Sequence, residues 1–295
     1  RDIFDNLHSP SQMNRLLQGD VGSGKTAVAL TAMFMAVQSG YQAAMIAPTE
    51  VLARQSFALI ERYFPARRCA LLVGSTPAAE KRAIKSALKR GEIDIVCGTH
   101  AVIQKDVEFC RLALVVCDEQ QRFGVAQRAS LADKGEGCDV LIMSATPIPR
   151  TLSLIFYGDL DITTIKDKPA ARQEISTSVI PAGRYADMIA YIARRAKEGT
   201  QAYFVCPKIE GDDEGTAMSV TELYEELSAK MSGVRLALLH GKMKEKDKNE
   251  VMRAFKAHEY DCLVSTTVIE VGVDVPNATI MVVCNAERFG LSQLH

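Results

Sequence analysis

The chain has 295 residues, 47% of them apolar, with 35 Lys and Arg against 36 Asp and Glu, for a formal charge of −1. That length accommodates two ordinary domains, and the charge balance excludes bulk basicity as the way a nucleic acid is held, leaving local contacts by backbone amides and a few side chains. The longest strongly apolar stretch, residues 27–37, is too short to span a bilayer, which takes about 18 such residues, and the 8 cysteines show no C-x-x-C or other metal-ligand spacing, which makes them small core residues of a protein in a reducing cytosol.

In chain order, Leu16-Leu17 end a short strand and run into Gly19-Asp20-Val21-Gly22-Ser23-Gly24-Lys25-Thr26, which opens an apolar helical pattern over 26–38 closed by Gly40. The string fits G-x-x-x-x-G-K-[ST], the loop whose backbone N–H groups cradle phosphates. Its glycines permit the tight turn, and the helix N-terminus that follows presents unpaired N–H groups to an anion. Lys25 is then expected to reach the β- and γ-phosphates, and the Thr26 hydroxyl to ligate Mg²⁺. Next come a strand at 43–47, a helix at 50–63 stopped by Pro65, a strand at 70–73, and a helix at 77–90 with Thr76 as N-cap, Pro77 at the first helical position and Gly91 beyond its end. Strands at 93–97, 112–117 and 140–143 complete the first series. The charged, Pro-containing segment 166–174 reads as a linker. A second series follows, with strands at 175–180, 202–206, 234–239, 262–265 and 280–283 and helices at 184–197, 220–230 and 244–256. The expected architecture is α/β: two tandem lobes, 1–165 and 175–295, each with a mainly parallel sheet flanked by helices. One phosphate cradle for two lobes suggests a nucleotide site between them.

The apolar run Leu112-Ala113-Leu114-Val115-Val116-Cys117 leads directly into Asp118-Glu119. Carboxylates at the C-terminal end of a parallel strand lie where α/β sheets bind ligands. Asp118 is the candidate for holding Mg²⁺, and Glu119 for orienting and deprotonating the attacking water. Ser144-Ala145-Thr146-Pro147 follows the next apolar run, and its hydroxyls are placed to hydrogen-bond Asp118-Glu119; taken alone, it is a hydroxyl-rich turn. Lys81, Lys85 and Lys89 with Arg82 and Arg90 stripe one side of a helix and read as a solvated face, as do the alternating Lys242, Lys244, Lys246 and Lys248. Tyr203 and Phe204 fit a buried strand rather than a base-stacking platform. No N-K-x-D string occurs, which disfavours a GTPase.

Together, Gly19–Thr26, Ala47-Pro48-Thr49-Glu50, Gly98-Thr99-His100, Asp118-Glu119-Gln120-Gln121 and Ser144-Ala145-Thr146 resemble, in order, motifs I, Ia, Ib, II and III of superfamily 2 helicases, with motifs IV and V at 203–208 and 264–274. The longer strings at 16–26 (LLQGDVGSGKT), 98–104 (GTHAVIQ), 122–125 (RFGV), 145–152 (ATPIPRTL) and 288–295 (RFGLSQLH) are similar to the RecG family of branched-DNA helicases. Transcription-repair coupling factors share these strings but usually carry D-E-E-H in motif II, and Gln120 favours the RecG type. The resemblance implies two tandem RecA-like lobes that use ATP and Mg²⁺ to translocate on branched duplex DNA, at stalled forks and recombination junctions, in the bacterial cytosol and nucleoid. No obligate protein partner is deduced, and the short apolar runs point to no membrane span. Residue by residue it implies phosphate binding by Gly19–Thr26, metal binding by Thr26 and Asp118, and hydrolysis by Glu119 with Asp118 and Lys25. It further implies DNA contacts from Thr49, Arg54, Thr99, Thr266 and Thr267, nucleotide contacts from Gly272 and Asp274, and coupling through Gln121, Ser144 and Thr146.

Two departures bear on activity. Gln121 stands where the family usually has His; it can still hydrogen-bond the Ser144–Thr146 turn but carries no charge. The sequence also ends at His295, where the family continues into motif VI and its arginine fingers, which are worth about 10³–10⁵ in rate in other NTPases. The expectation is a second lobe cut short, weak ATP binding and little hydrolysis. The competing readings are the motor of a coupling factor, and an ATP-gated DNA-binding module without turnover.

Overall fold

Near-continuous apolar runs suit strands covered on both faces, the situation of parallel sheets in α/β proteins. The computed structural model bears this out over the residues it describes: 2–118, 137–144, 160–166, 175–207, 220–266, 275–290 and 294. The chain separates into two compact units, 1–173 and 174–295.

The first unit runs α1 (Asp2–Leu7), β1 (Asn14–Gly19), α2 (Lys25–Gln38), β2 (Gln42–Ile46), α3 (Glu50–Tyr63), β3 (Cys69–Leu72), α4 (Ala78–Lys89), β4 (Ile95–Gly98), a 3₁₀ turn (His100–Ile103), β5 (Leu112–Asp118), β6 (Asp139–Ser144) and β7 (Asp161–Ile165). Its sheet has the order β3-β4-β2-β5-β6-β1-β7, with every neighbouring pair parallel. Successive strand residues point to opposite faces, so Leu17, Met45 and Val116 pack with Ala29 and Met33 of α2 and Ile60 of α3. Leu16, Ala44 and Val115 pack with Ile84 and Leu88 of α4 on the other face. The edge formed by α1 and β7, absent from the sequence reading, is pinned by buried Arg15. Its guanidinium donates to Asn6 Oδ1 (2.8 Å), Thr163 Oγ1 (2.6 Å) and Asp161 Oδ2 (3.0 Å).

The second unit runs α5 (Tyr185–Lys197), β8 (Gln201–Cys206), α6 (Val220–Lys230), β9 (Leu236–Leu239), α7 (Glu245–Lys256), β10 (Cys262–Thr266) and β11 (Ala278–Val283). Its described strands form a parallel sheet of order β11-β8-β10-β9. Phe204, Ile192, Leu227 and Val264 fill one face, and Tyr203, Phe255 and Leu263 the other.

The second sheet repeats one half of the first. The order β9-β10-β8-β11 matches β3-β4-β2-β5, and residues 235–266 align without a gap on residues 68–99. The same hydrogen bonds recur at matching places. Arg68 donates its backbone N–H (3.0 Å) and guanidinium (3.2 Å) to Asp94, as Arg235 does (2.8 and 2.6 Å) to Asp261. Gln42 Nε2 donates to the Leu88 and Ile93 carbonyls, and Gln201 Nε2 to those of Phe255 and Tyr260. Both sites after the helix adopt positive φ, 71° at Gly91 and 60° at His258.

Two local expectations are corrected. Residues 175–180 form no strand: Ile175 and Val179 are exposed, and no described strand lies beside them. Thr76 does not cap α4, because its hydroxyl accepts from the Val73 N–H (3.1 Å), while Pro77 holds the N-cap place and the helix begins at Ala78. Of the expected linker, only Lys166 lies among the described residues. No described helix is long and apolar enough to cross a membrane.

Candidate functional site

Because all strands of the first sheet are parallel, their carboxyl ends share one edge, and that edge collects the motif residues. β6 lies between β1 and β5, with Gln18 level with Ser144 and Asp118 level with Met143. Gly19, Ser144 and Asp118 therefore end three adjacent strands side by side. Ser144 in the middle is 2% exposed. This edge is where open α/β sheets take their ligands.

The loop after β1 is built to face an anion. Gly22 and Gly24 have φ of 77° and 93°, a region glycine enters without steric cost, and Gly24 is the N-cap of α2. The side chain of Asp20 accepts from the Val21 N–H (2.8 Å), and its carbonyl accepts from the Ser23 N–H (3.1 Å), fixing the turn. Lys25 Nζ reaches back across it to the carbonyls of Gly19 (2.8 Å) and Asp20 (2.9 Å). Ser23 Oγ is buried without a hydrogen-bond partner, an expensive state for a hydroxyl unless a ligand satisfies it. A Cβ at Gly19 would stand 2.6 Å from that same oxygen, so a larger residue there would force the Ser23 hydroxyl to turn away. The fit to a nucleotide phosphate is good. For Mg²⁺, Thr26 lies in the first turn of the same helix and Asp118 ends β5, one strand beyond β6. That is a sparse donor set, but one that suits an ion held by one or two carboxylates, substrate phosphates and water. No group of three or more metal-ligating side chains occurs among the described residues.

Further along the same edge lie the ends of β2, β4 and β3. Thr49 caps α3, its hydroxyl accepting from the Leu52 N–H (3.4 Å). Thr99 follows β4, half-buried, at the head of the 3₁₀ turn. Arg54 donates to Glu50 Oε1 through Nε (3.1 Å) and Nη2 (2.7 Å). In the second unit, Thr266 ends β10 with its Oγ1 buried and unpartnered, as is Ser265 Oγ beside it. Burial first, and then neighbouring negative charge that includes Asp118, pushes the Cys97 and Cys117 thiols up to about 12. The basic stripe of α4 is largely paired, Lys85 with Asp106, Lys89 with Glu108 and Arg90 with Glu92.

The model of DEAD/DEAH box helicases matches residues 1–155, and that of the helicase conserved C-terminal domain matches 184–295. The chain belongs to the DEAD/DEAH box helicases. This helicase chain is 49% identical over its whole length to the ATP-dependent DNA helicase RecG of Streptococcus pneumoniae, covering 44% of that protein. It is 47% identical to RecG of Thermotoga maritima, covering 38%. A solved structure of RecG bound to a three-way DNA junction matches the whole chain with a TM-score of 0.81 at 45% identity, over 38% of its own length. The DEAD-box helicase Mss116, at 22% identity and a TM-score of 0.65, shares the fold. The chain thus spans about two fifths of the length of the RecG proteins it matches. Its two units have the α/β fold of this family's RecA-like lobes.

Among the anticipated site residues, the fold of this helicase chain gathers Gly19–Thr26, Asp118 and Ser144 at one stretch of the first sheet's edge and Thr49, Arg54 and Thr99 at another. Glu119, Gln121, Thr146, Thr267, Gly272 and Asp274 lie outside the described residues. Sequence reasoning missed the tie from Glu50 to Arg54 and Ser75; the i, i+4 spacing of Glu50 and Arg54 was its available signal.

Proposed function

We propose that this chain is the motor of a RecG-type helicase, coupling ATP hydrolysis to movement on branched DNA at forks and junctions, in the bacterial cytosol at the nucleoid. The observation that carries the reading is the side-by-side ending of β1, β6 and β5, which sets a phosphate loop, a buried serine and an acidic strand end in one row. In this reading Lys25 exchanges its bonds to the Gly19 and Asp20 carbonyls for β- and γ-phosphate oxygens, and Ser23 Oγ gains the partner it lacks. Thr26 and Asp118 would hold Mg²⁺, which supplies charge neutralisation at the phosphates. Glu119, one residue beyond β5, orients and deprotonates the attacking water. Ser144, with Thr146 and Gln121, passes the state of that row to the DNA-facing positions Thr49, Arg54 and Thr99. Thr266 and Thr267 face DNA from the second unit, and Gly272 and Asp274 contribute to the nucleotide site.

The test separates binding from turnover. ATP with Mg²⁺ should stabilise the chain against thermal unfolding, by about 2.7 kcal/mol at a hundred times Kd, and Lys25→Ala should abolish this. Phosphate release, low for the chain alone, should rise when a three-way junction is added, and Glu119→Gln should remove that rise while nucleotide stabilisation persists. Stabilisation by ATP that survives Lys25→Ala would sink the assignment.

A further inference from the structure

The carboxylate of Glu50 sits at the centre of a closed set of hydrogen bonds at the edge of the first sheet. Oε1 accepts from Arg54 Nε (3.1 Å) and Nη2 (2.7 Å) and from the Ser75 hydroxyl. Oε2 accepts from the Ser75 N–H (3.4 Å), and Arg54 Nη2 also donates to Ser75 Oγ (3.2 Å). Glu50 and Arg54 are one helical turn apart on α3, after β2, whereas Ser75 lies in the turn after β3. β4 runs between those two strands and delivers Thr99 to the same edge. One carboxylate thus ties together the two elements that flank Thr99.

The geometry of the tie is selective. It uses Nε and Nη2 of the guanidinium, and none of the hydrogen bonds described engages Nη1. The Arg54 side chain is 55% exposed. An arginine gripped along one side by a carboxylate has lost most of its rotamer freedom, so its outward N–H groups meet an anion without further ordering cost. The repeat gives a second sighting of what this turn carries: where the first unit has Ser75 with an arginine brought to it, the second has the exposed Lys242 in its own sequence.

We infer that Glu50 is a positioning residue for the nucleic-acid backbone: it fixes Arg54 and the Ser75 turn on either side of Thr99, aiming the guanidinium at a phosphodiester. This rests on the proposed reading of Thr49, Arg54 and Thr99 as the DNA-facing edge. Glu50 does not touch the DNA; it acts through Arg54, and its negative charge is outweighed by the order it imposes.

The experiment is a double-mutant cycle on the intact chain, reading anisotropy of a fluorescein-labelled three-way junction from 50 to 200 mM salt. Arg54→Ala should weaken binding several-fold and lower the salt slope by about 1, so that the loss of affinity across this range shrinks about fourfold. Glu50→Ala should weaken binding by a similar factor in the parent, add nothing in the Arg54→Ala background, and be partly rescued by Glu50→Gln, whose amide oxygen still accepts from Arg54. A folding defect would weaken binding in both backgrounds and would overturn the positioning role. Binding that is unchanged or tighter in Glu50→Ala, with Arg54→Ala still weak, overturns the role of Glu50 and leaves the DNA-facing edge intact. An Arg54→Ala variant that binds like the parent removes that edge, and the role of Glu50 with it.

Discussion

Single positions in the two units show how one frame tolerates different residues. At Gly98 a Cβ would stand 1.9 Å from the Leu72 carbonyl oxygen and 2.7 Å from Val102 Cγ2, and the first of these is backbone that cannot swing aside. Gly98→Ala should therefore destabilise the chain by about 3 kcal/mol, the upper end of ordinary overpacking, read as a lowered urea midpoint. An unchanged midpoint would mean β3 and β4 are free to separate. The aligned position in the second unit is Ser265, fully buried, with Oγ lacking a partner. Removing an unsatisfied buried hydroxyl relieves a desolvation cost, so Ser265→Ala should be neutral or stabilising by about 1 kcal/mol in the absence of ligand. The same measurement decides it: a clear loss of stability would show that the hydroxyl has a partner after all.

At the scale of elements, the repeated Arg–Asp clamps join the start of β3 to β4 and of β9 to β10. Burial pushes the carboxyls of Asp94 and Asp261 up, and the hydrogen bonds from Arg68 and Arg235 more than reverse it, leaving both below the usual range. A carboxyl depressed by folding contributes stability that is present above its unfolded value, about 3.9, and is lost as pH falls through the folded value. Asp139 runs the other way, since burial raises it despite the bond from the Met13 N–H. Its contribution is full at low pH and declines as pH rises through the raised value. Asp94→Asn and Asp261→Asn should each cost about 1 kcal/mol at pH 7 and flatten the acid limb below about pH 4, followed by urea unfolding at stepped pH. An acid limb as steep as the parent's in both would place the sensitivity elsewhere. The elements themselves were legible wherever a run was both apolar and internal: α3 and α6 have the bounds read from their patterns, and β2, β5, β8 and β10 fall within one or two residues. The misses have physical causes. Residues 175–180 have strand composition but no neighbouring strand among the described residues, and β propensity is realised only against one. β7 is an edge strand of mixed polarity whose only described partner is β1, so its sequence lacks the two-sided apolar signature. The repeat hides because its identities are sparse: residues 68–72 and 235–239 share Arg, Ala, Leu and Leu, but most of the following helix and strand positions differ. The phosphate loop was plain in sequence, as its chemistry is local, whereas the row of Gly19, Ser144 and Asp118 depends on strand order, which no local pattern specifies.

Across the whole molecule the cysteines test whether both cores are as closed as their packing indicates. Burial pushes Cys97, Cys117, Cys138 and Cys262 up to about 12, and half-buried Cys69 to about 11. At pH 7.5 a thiol with such a value is thiolate in about one molecule in 10⁴, and only the thiolate is alkylated. Cys110 is exposed. Cys284, beside Cys206 across β11 and β8, is held below the ordinary thiol value by the hydrogen bond from Cys206, which burial only partly offsets; the same bond drives Cys206 well above it. Iodoacetamide on the folded chain should therefore modify Cys110 through exposure and Cys284 through acidity, trail far behind at Cys69, and reach the other five only when denaturant opens the cores. Peptide mass spectrometry over a time course reads all eight sites at once. Prompt labelling of Cys97 or Cys117 would mean that the first sheet opens beside Asp118. Prompt labelling of Cys262 would say the same of the second sheet beside Thr266, and with it the rigid strand ends on which both proposed DNA-facing edges depend would be lost.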